Sequence, residues 1–246
     1  MIEAEIPLTT EDGTMSAFTT RPDEGGPFPV VFFYMDAPGK REELHDMARR
    51  IATTGYYVVL PNLYYRWRDQ FELDFETGAN RDEMFSLMNQ LSNAMVVRDT
   101  RAMLDHVAGQ DFADETRIGC VGYCMSGPFS LVVASAYPDQ VKCAASIYGV
   151  RLAVDAEDSP HLGFPNAKGE LYVAAAETDE YAPPEMIERV EKALDEAGTR
   201  GRVEWYPGTH HGFAFPTRRG TFDKAAAERH WTRLHALFAR NLRADG

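Results

Sequence analysis

Apolar residues in this chain gather into short unbroken runs, and longer stretches between those runs carry them at helical spacing. Val30-Val31-Phe32-Phe33-Tyr34 is the clearest run, too short for a helix and unbroken by polar residues, which predicts a strand buried on both faces. Tyr56 to Leu60, stopped by Pro61, reads the same way, as do Arg117 to Val121, Cys143 to Tyr148 and Glu170 to Ala175; Val203 to Tyr206 is a last strand. Glu42 to Thr54 sets Leu44, Met47, Ala48 and Ile51 on one stripe, with Gly55 as C-terminal cap, so a helix is predicted there. Helical spacing also runs through Arg81 to Val107, Gly127 to Ala136, Pro183 to Ala197 and Phe222 to Leu242. At the start, Ile2 to Leu8 and Met15 to Thr20 flank the turn signal Glu11-Asp12-Gly13 and predict a hairpin. Residues 62–80 are aromatic and charged without periodicity, the kind of irregular segment that borders a substrate site.

Strands alternating with helices predict an α/β fold, a mostly parallel central sheet covered by helices on both faces. No linker, repeat or low-complexity tract divides the chain, so residues 1–246 are expected to form one domain. In such sheets the working residues cluster in loops at the carboxyl ends of strands.

Composition narrows the class. The 246 residues are 44% hydrophobic, enough for a sizeable core, and the formal net charge of −13 repels nucleic acid and anionic membranes. No window approaches the roughly 18 consecutive apolar residues of a membrane span. Met1-Ile2-Glu3-Ala4-Glu5 lacks the basic and apolar regions of a signal peptide, so a cytoplasmic protein is expected. Cys120, Cys124 and Cys143 are odd in number and make no CxxC spacing, which argues against a disulfide framework or cysteine zinc site. Neither a metal nor any other cofactor is expected, and no segment looks built for dimerisation, so the expectation is a monomer acting on a small molecule.

Three loops then carry candidate chemistry. In Val121-Gly122-Tyr123-Cys124-Met125-Ser126-Gly127 the cysteine stands between a predicted strand and a predicted helix. A tight turn there would present its sulfur above the sheet, and Gly122, Ser126 and Gly127 are the small residues that crowding requires. The plain alternative is a cysteine packed beneath the helix in a non-catalytic binding protein. Ser126 is out of register as a nucleophile, because a Gly-x-Ser-x-Gly elbow needs glycine at Cys124 and Pro128. Asp179, in the loop after Glu170 to Ala175, can orient a histidine or cap the following helix, and Glu177 competes with it for the acid role. His210 and His211 follow the last strand, and imidazole, with a pKa near 6.5, suits proton transfer at neutral pH. The order nucleophile, acid, histidine is that of the α/β-hydrolase fold.

At these residues the sequence resembles the dienelactone hydrolase family, small α/β hydrolases without a large lid that use cysteine as nucleophile. The resemblance covers nearly the whole chain and includes Gly122-Tyr123-Cys124, Asp179-x-x-x-Pro183, His211-Gly212-Phe213 and Pro61-x-Leu63-Tyr64. It implies a triad of Cys124, Asp179 and His211, with His211 rather than His210 as base. It implies an oxyanion hole from the backbone N–H groups of Ala37 and Met125. Asp36 stands where the family places a glutamate that helps form the thiolate. Of the two arginines that grip a substrate carboxylate, Arg81 matches the first, whereas Phe215 occupies the second position. The implied activity is hydrolysis of lactones or activated esters through a thioester, and Phe215 fits a less acidic, more apolar substrate than a carboxylated dienelactone.

Overall fold

The computed structural model describes residues 1–243, and the chain divides into two compact units, Met1–Ile118 and Gly119–Gly246. In the first, the hairpin forms as the turn signal predicts. Strands β1 (Ile2–Thr10) and β2 (Gly13–Arg21) pair antiparallel from Ile2 opposite Arg21 to Thr10 opposite Gly13, leaving Glu11 and Asp12 as the turn. The whole of β3 (Phe28–Tyr34) is buried, as an unbroken apolar run requires. Its neighbour β4 (Tyr57–Pro61) runs parallel to β3 and antiparallel to β2. Pro61, predicted to stop this strand, is its last residue and lies opposite Ala17. At a strand end proline forfeits only one ladder donor, and the next residue restores the ladder, Asn62 N donating to the Ser16 carbonyl at 2.8 Å.

Helix α1 (Glu42–Ala52) buries the predicted stripe of Leu44, Met47, Ala48 and Ile51. The helical spacing of residues 81–107 is realised as two helices, α2 (Arg81–Gln90) and α3 (Asn93–Ala108). Leu91 turns extended, with ψ 141°, and the Ser92 hydroxyl accepts from the Met95 amide at 3.2 Å, capping α3. A serine that satisfies one orphan amide of a new helix is a stop signal that apolar periodicity does not reveal.

Residues 62–80 form no helix or strand, as predicted, but they are held. Leu73 N donates to the Pro38 carbonyl at 2.9 Å, and a Cβ on Gly39, whose φ is +96°, would lie 2.0 Å from the Phe71 carbonyl oxygen. Glycine at 39 is therefore a condition for this segment to close on the loop after β3. Arg66, within the same segment, reaches the buried carboxylate of Asp99 on α3 and also Asp12 in the hairpin turn.

Strand β5 (Ala113–Tyr123) runs through the boundary between the units, longer than the Arg117 to Val121 run predicted. Strand order is β1-β2-β4-β3-β5 in the first unit and β5 with β6 (Val141–Ile147), β7 (Glu170–Thr178) and β8 (Gly201–His210) in the second. Strands β6, β7 and β8 are parallel. Helices α4 (Gly127–Ala136), α5 (Pro184–Ala197) and α6 (Lys224–Leu242) follow the predicted bounds closely. Strand β8 extends past the predicted Tyr206 to His210, because Pro207 and Gly208 interrupt the apolar run without ending the strand. Among the described residues no helix is long and apolar enough to cross a membrane.

Replacing Ser92 by alanine is expected to cost about 1 kcal/mol, with Ser92→Asp restoring most of it, since either oxygen can cap α3. Denaturant unfolding checks this: the midpoint should fall for the alanine variant with the slope unchanged.

Candidate active site

Three loops at the carboxyl ends of second-unit strands bring together the predicted trio. The first is the turn from β5 into α4. Tyr123 ends the strand, Cys124–Ser126 form a single 3₁₀ turn, and α4 begins at Gly127. Cys124 has φ +54°, in the left-handed region that a non-glycine residue enters at a cost of about 1–3 kcal/mol. Close packing holds it there. A Cβ on Gly122 would lie 2.0 Å from the Ser126 carbonyl oxygen, and one on Gly127 would lie 2.4 Å from Gly149 Cα. The Ser126 hydroxyl accepts from the Tyr123 amide at 2.9 Å, and Val150 N donates to the Cys124 carbonyl at 3.2 Å. Ser126 is wholly buried and its hydroxyl is bonded to the backbone of Tyr123, which latches the turn. Cys124 is partly exposed, whereas Cys120 and Cys143 are buried. Burial also pushes the Cys143 thiol well above its ordinary pKa.

The acid follows β7. The carboxylate of Asp179 is out of contact with solvent; Oδ1 accepts from the amides of Tyr181 at 2.9 Å and Ala182 at 3.2 Å, and Oδ2 bonds His211 Nδ1 at 2.7 Å. The N-cap of α5 is Pro183, so Asp179 shapes the loop ahead of the helix rather than capping it. Glu177 is exposed and accepts from Gly208 N at 2.6 Å, which ties its carboxylate to the backbone of β8.

His211 is the first residue after β8, and His210 is the exposed last residue of that strand. The His211 ring lies edge to face against Tyr148 at 5.1 Å and Tyr181 at 5.0 Å between centroids. With Nδ1 donating to Asp179, Nε2 is the free ring nitrogen, and it is buried with no hydrogen-bond partner. Burial opposes the charged ring, but the interaction with Cys124 and the hydrogen bond to Asp179 outweigh it and push the His211 pKa up to about 10. An imidazole so placed is a reservoir for one proton between a sulfur and a carboxylate.

Two aromatic residues beside the ring escaped the sequence reading. Tyr148 stood at the end of a predicted strand and is in fact just past β6, with φ +37°, buried against His211, Phe213 and Phe215. Tyr181 sits inside the acid loop and is half exposed. Aromatic residues at a strand end carry no spacing signal that separates site from core.

The remaining predicted residues are placed as follows. Phe215 is fully buried, its ring 5.3 Å from Tyr123, and the Arg218 guanidinium lies 5.6 Å above it. Met125, beside Cys124, is buried. The other three belong to the first unit. Both oxygens of the buried Asp36 carboxylate accept from the Arg41 guanidinium, which Glu43 also engages. Ala37 gives its carbonyl to the Tyr64 hydroxyl at 2.9 Å, and Arg81 is an exposed side chain on the first residue of α2.

Residues 15–242 match the model of the dienelactone hydrolase family. The chain belongs to that family. Similar curated proteins include one from Methylorubrum extorquens provisionally named a carboxymethylenebutenolidase, 28% identical over 243 residues, covering 97% of this chain and 81% of that one. A carboxymethylenebutenolidase of Rhodococcus opacus is 26% identical over 202 residues, covering 80% of this chain and 75% of its own. Among solved structures, a Klebsiella pneumoniae protein provisionally described as a dienelactone hydrolase superposes with a TM-score of 0.85 at 24% identity, over 97% of this chain and 98% of that one. The fold is thus the α/β-hydrolase fold, without a large lid, and this member of the dienelactone hydrolase family is a hydrolase.

The turn at Cys124 tolerates no side chain at Gly122. Gly122→Ala is expected to destabilise by at least about 2 kcal/mol, through backbone contact rather than an ordinary cavity effect, and to reduce the accessibility of the thiol. Denaturant unfolding and thiol titration of the folded variant check both. A second expectation concerns protons. His211 has a raised folded pKa, so its charge stabilises the folded state in full below about pH 6.5, and that contribution is lost as pH rises through about 10. NMR titration of the histidine ring should find it charged well above pH 6.5, and Asp179→Asn should lower its midpoint.

Proposed function

We propose that this hydrolase cleaves lactones and activated esters with Cys124 as nucleophile, His211 as base and acid, and Asp179 as the residue that orients His211. The observation that carries the reading is Cys124 itself: a non-glycine residue in left-handed backbone, partly exposed, with the free nitrogen of an aspartate-bound histidine as its neighbour. A buried structural cysteine has no need of that strain.

In the proposed reaction the Cys124 sulfur, its proton held on His211, attacks the carbonyl carbon of the substrate. The backbone N–H of Met125, at the start of the turn into α4, supports the oxyanion, and the positive end of that helix favours negative charge there. Collapse breaks the carbonyl–oxygen bond, and the leaving oxygen takes the proton from His211. A water deprotonated by His211 then attacks the thioester, the thiolate leaves as the acid is released, and the proton taken from water stays on His211, restoring the starting pair. Asp179 fixes the ring tautomer throughout.

Sulfur restricts the substrate. A thiol is a stronger acid than an alcohol, so the tetrahedral intermediate expels the thiolate in preference to an alkoxide and reverts. Enol lactones and aryl esters go forward because their leaving groups are stabilised anions. Phe213 and Phe215 are fully buried behind Tyr148, so they brace the ring that flanks His211, and Arg81, exposed at the start of α2, is a solvated residue in this reading.

Nitrophenyl acetate is expected to turn over at least about 10²-fold faster than ethyl acetate, and comparable acylation rates on the two would overturn the argument from leaving groups. Cys124→Ala should abolish turnover, and Asp179→Asn should lower kcat by about 10²- to 10⁴-fold. Iodoacetamide at neutral pH should label Cys124 ahead of Cys120 and Cys143, as mass spectrometry of the peptides would show; equal labelling favours the non-catalytic binding protein.

A further inference from the structure

The amino ends of β6, β7 and β8 border a cavity of about 400 Å³ lined in part by Asp139, Lys142, Lys168, Arg200, Arg240 and Asn241. It lies at the other end of the strands from the triad. Strand β7 begins at Glu170 beside the cavity and, nine residues long, ends at Thr178, before Asp179, which separates the two sites by roughly 25 Å.

The charge here is opposite to that of the molecule. Overall the chain has 38 acidic residues against 25 Lys and Arg, yet four cations line one cavity. Two of them meet carboxylates: Lys168 Nζ lies 2.7 Å from Asp139 Oδ1, and Arg240 Nε 2.8 Å from Glu170 Oε2, with a second bond from its Nη2. Burial raises the Glu170 pKa, but the hydrogen bonds from Arg240 and Asn241 hold it below the ordinary range, so Glu170 is a full negative charge. The other two cations bond neutral groups. Lys142 Nζ donates to the Asp139 carbonyl at 2.6 Å, and Arg200 donates to the Asn241 side-chain oxygen while lying 4.0 Å from Glu170. Among the described residues, four cations against the two carboxylates of Asp139 and Glu170 leave a surplus of two positive charges.

We propose that this cavity binds a phosphate dianion, either free or carried by a small metabolite. Two charges match the surplus, and the guanidinium of Arg200 and the ammonium of Lys142 would exchange neutral acceptors for charged oxygens, the stronger kind of hydrogen bond. The volume sits near the lower end of small-molecule sites, room for the phosphate and a few further atoms. A nucleic acid would have to lay its other phosphates along an acidic surface, which disfavours it. Arg200 and Lys168 are more than half exposed, so binding is screened and weakens with salt.

Calorimetry on the whole chain at low salt, with inorganic phosphate and with glycerol phosphate as probes, tests this. Saturable binding is expected, weakened about tenfold by Arg200→Gln and by Lys142→Gln, each removing one charge-assisted contact, and unchanged by Lys192→Gln on α5, an exposed side chain that does not line the cavity. Circular dichroism and the thermal midpoint establish that the variants fold. Tighter binding of glycerol phosphate identifies a carried phosphate, and preference for inorganic phosphate identifies the free ion. Absence of saturable binding overturns the proposal, as does equal weakening by Lys192→Gln, which would be an effect of net charge alone.

Discussion

The candidate site depends on the contact between Gly122 and Ser126. Where β5 gives way to α4, the chain reverses so tightly that the Ser126 carbonyl occupies the space a side chain on residue 122 would need. That contact, the serine hydroxyl bonded to the backbone of Tyr123, and the amide of Val150 on the Cys124 carbonyl together over-determine the turn. Cys124 is left in a backbone conformation it would not choose, with its sulfur at the head of a helix. The strain is local, and the packing that sustains it comes from α4, β6 and the loop after β6.

Electrostatics then decide what the sulfur meets. A buried imidazole would ordinarily be neutral, since desolvation penalises its charge. Here the ring is bracketed by Asp179 on one nitrogen and Cys124 near the other, and the pairing wins over burial. Tyr148 and Tyr181 pack edge to face against the ring on that axis. The Asp179 carboxylate can serve because it is itself satisfied: two loop amides hold one oxygen while the other receives the histidine.

In the first unit the same logic stabilises irregular backbone. Residues 62–80 lack any repeating ladder, so their order comes from specific ties: the Pro38 carbonyl, the side chain of Asn62 on the carbonyls of Arg68 and Asp69, and the buried pair of Arg66 with Asp99. The Asp36–Arg41 pair locks the loop after β3 in a similar way. In each case an arginine offsets the charge of a buried carboxylate, Arg41 that of Asp36 and Arg66 that of Asp99, with Glu43 and Asp12 as their second carboxylates.

The strands, most helices and the chain order of Cys124, Asp179 and His211 were legible in the amino-acid sequence because burial writes itself as short apolar runs and amphipathic stripes, and because functional loops must follow strand ends. The break between α2 and α3 was not, since a serine cap outweighed continuous apolar spacing at Leu91. Nor was the length of β8, which continues through Pro207 and Gly208, or the presence of Tyr148 and Tyr181 around His211, which depends on where distant loops pack. Sequence alone determined which residues were available for the chemistry and their order. Tertiary structure decided which acid faces the histidine, that the Ser126 hydroxyl is bonded to the backbone of Tyr123, and that the protonated form of His211 is favoured, because each of these follows from distances between segments that the order of residues does not contain.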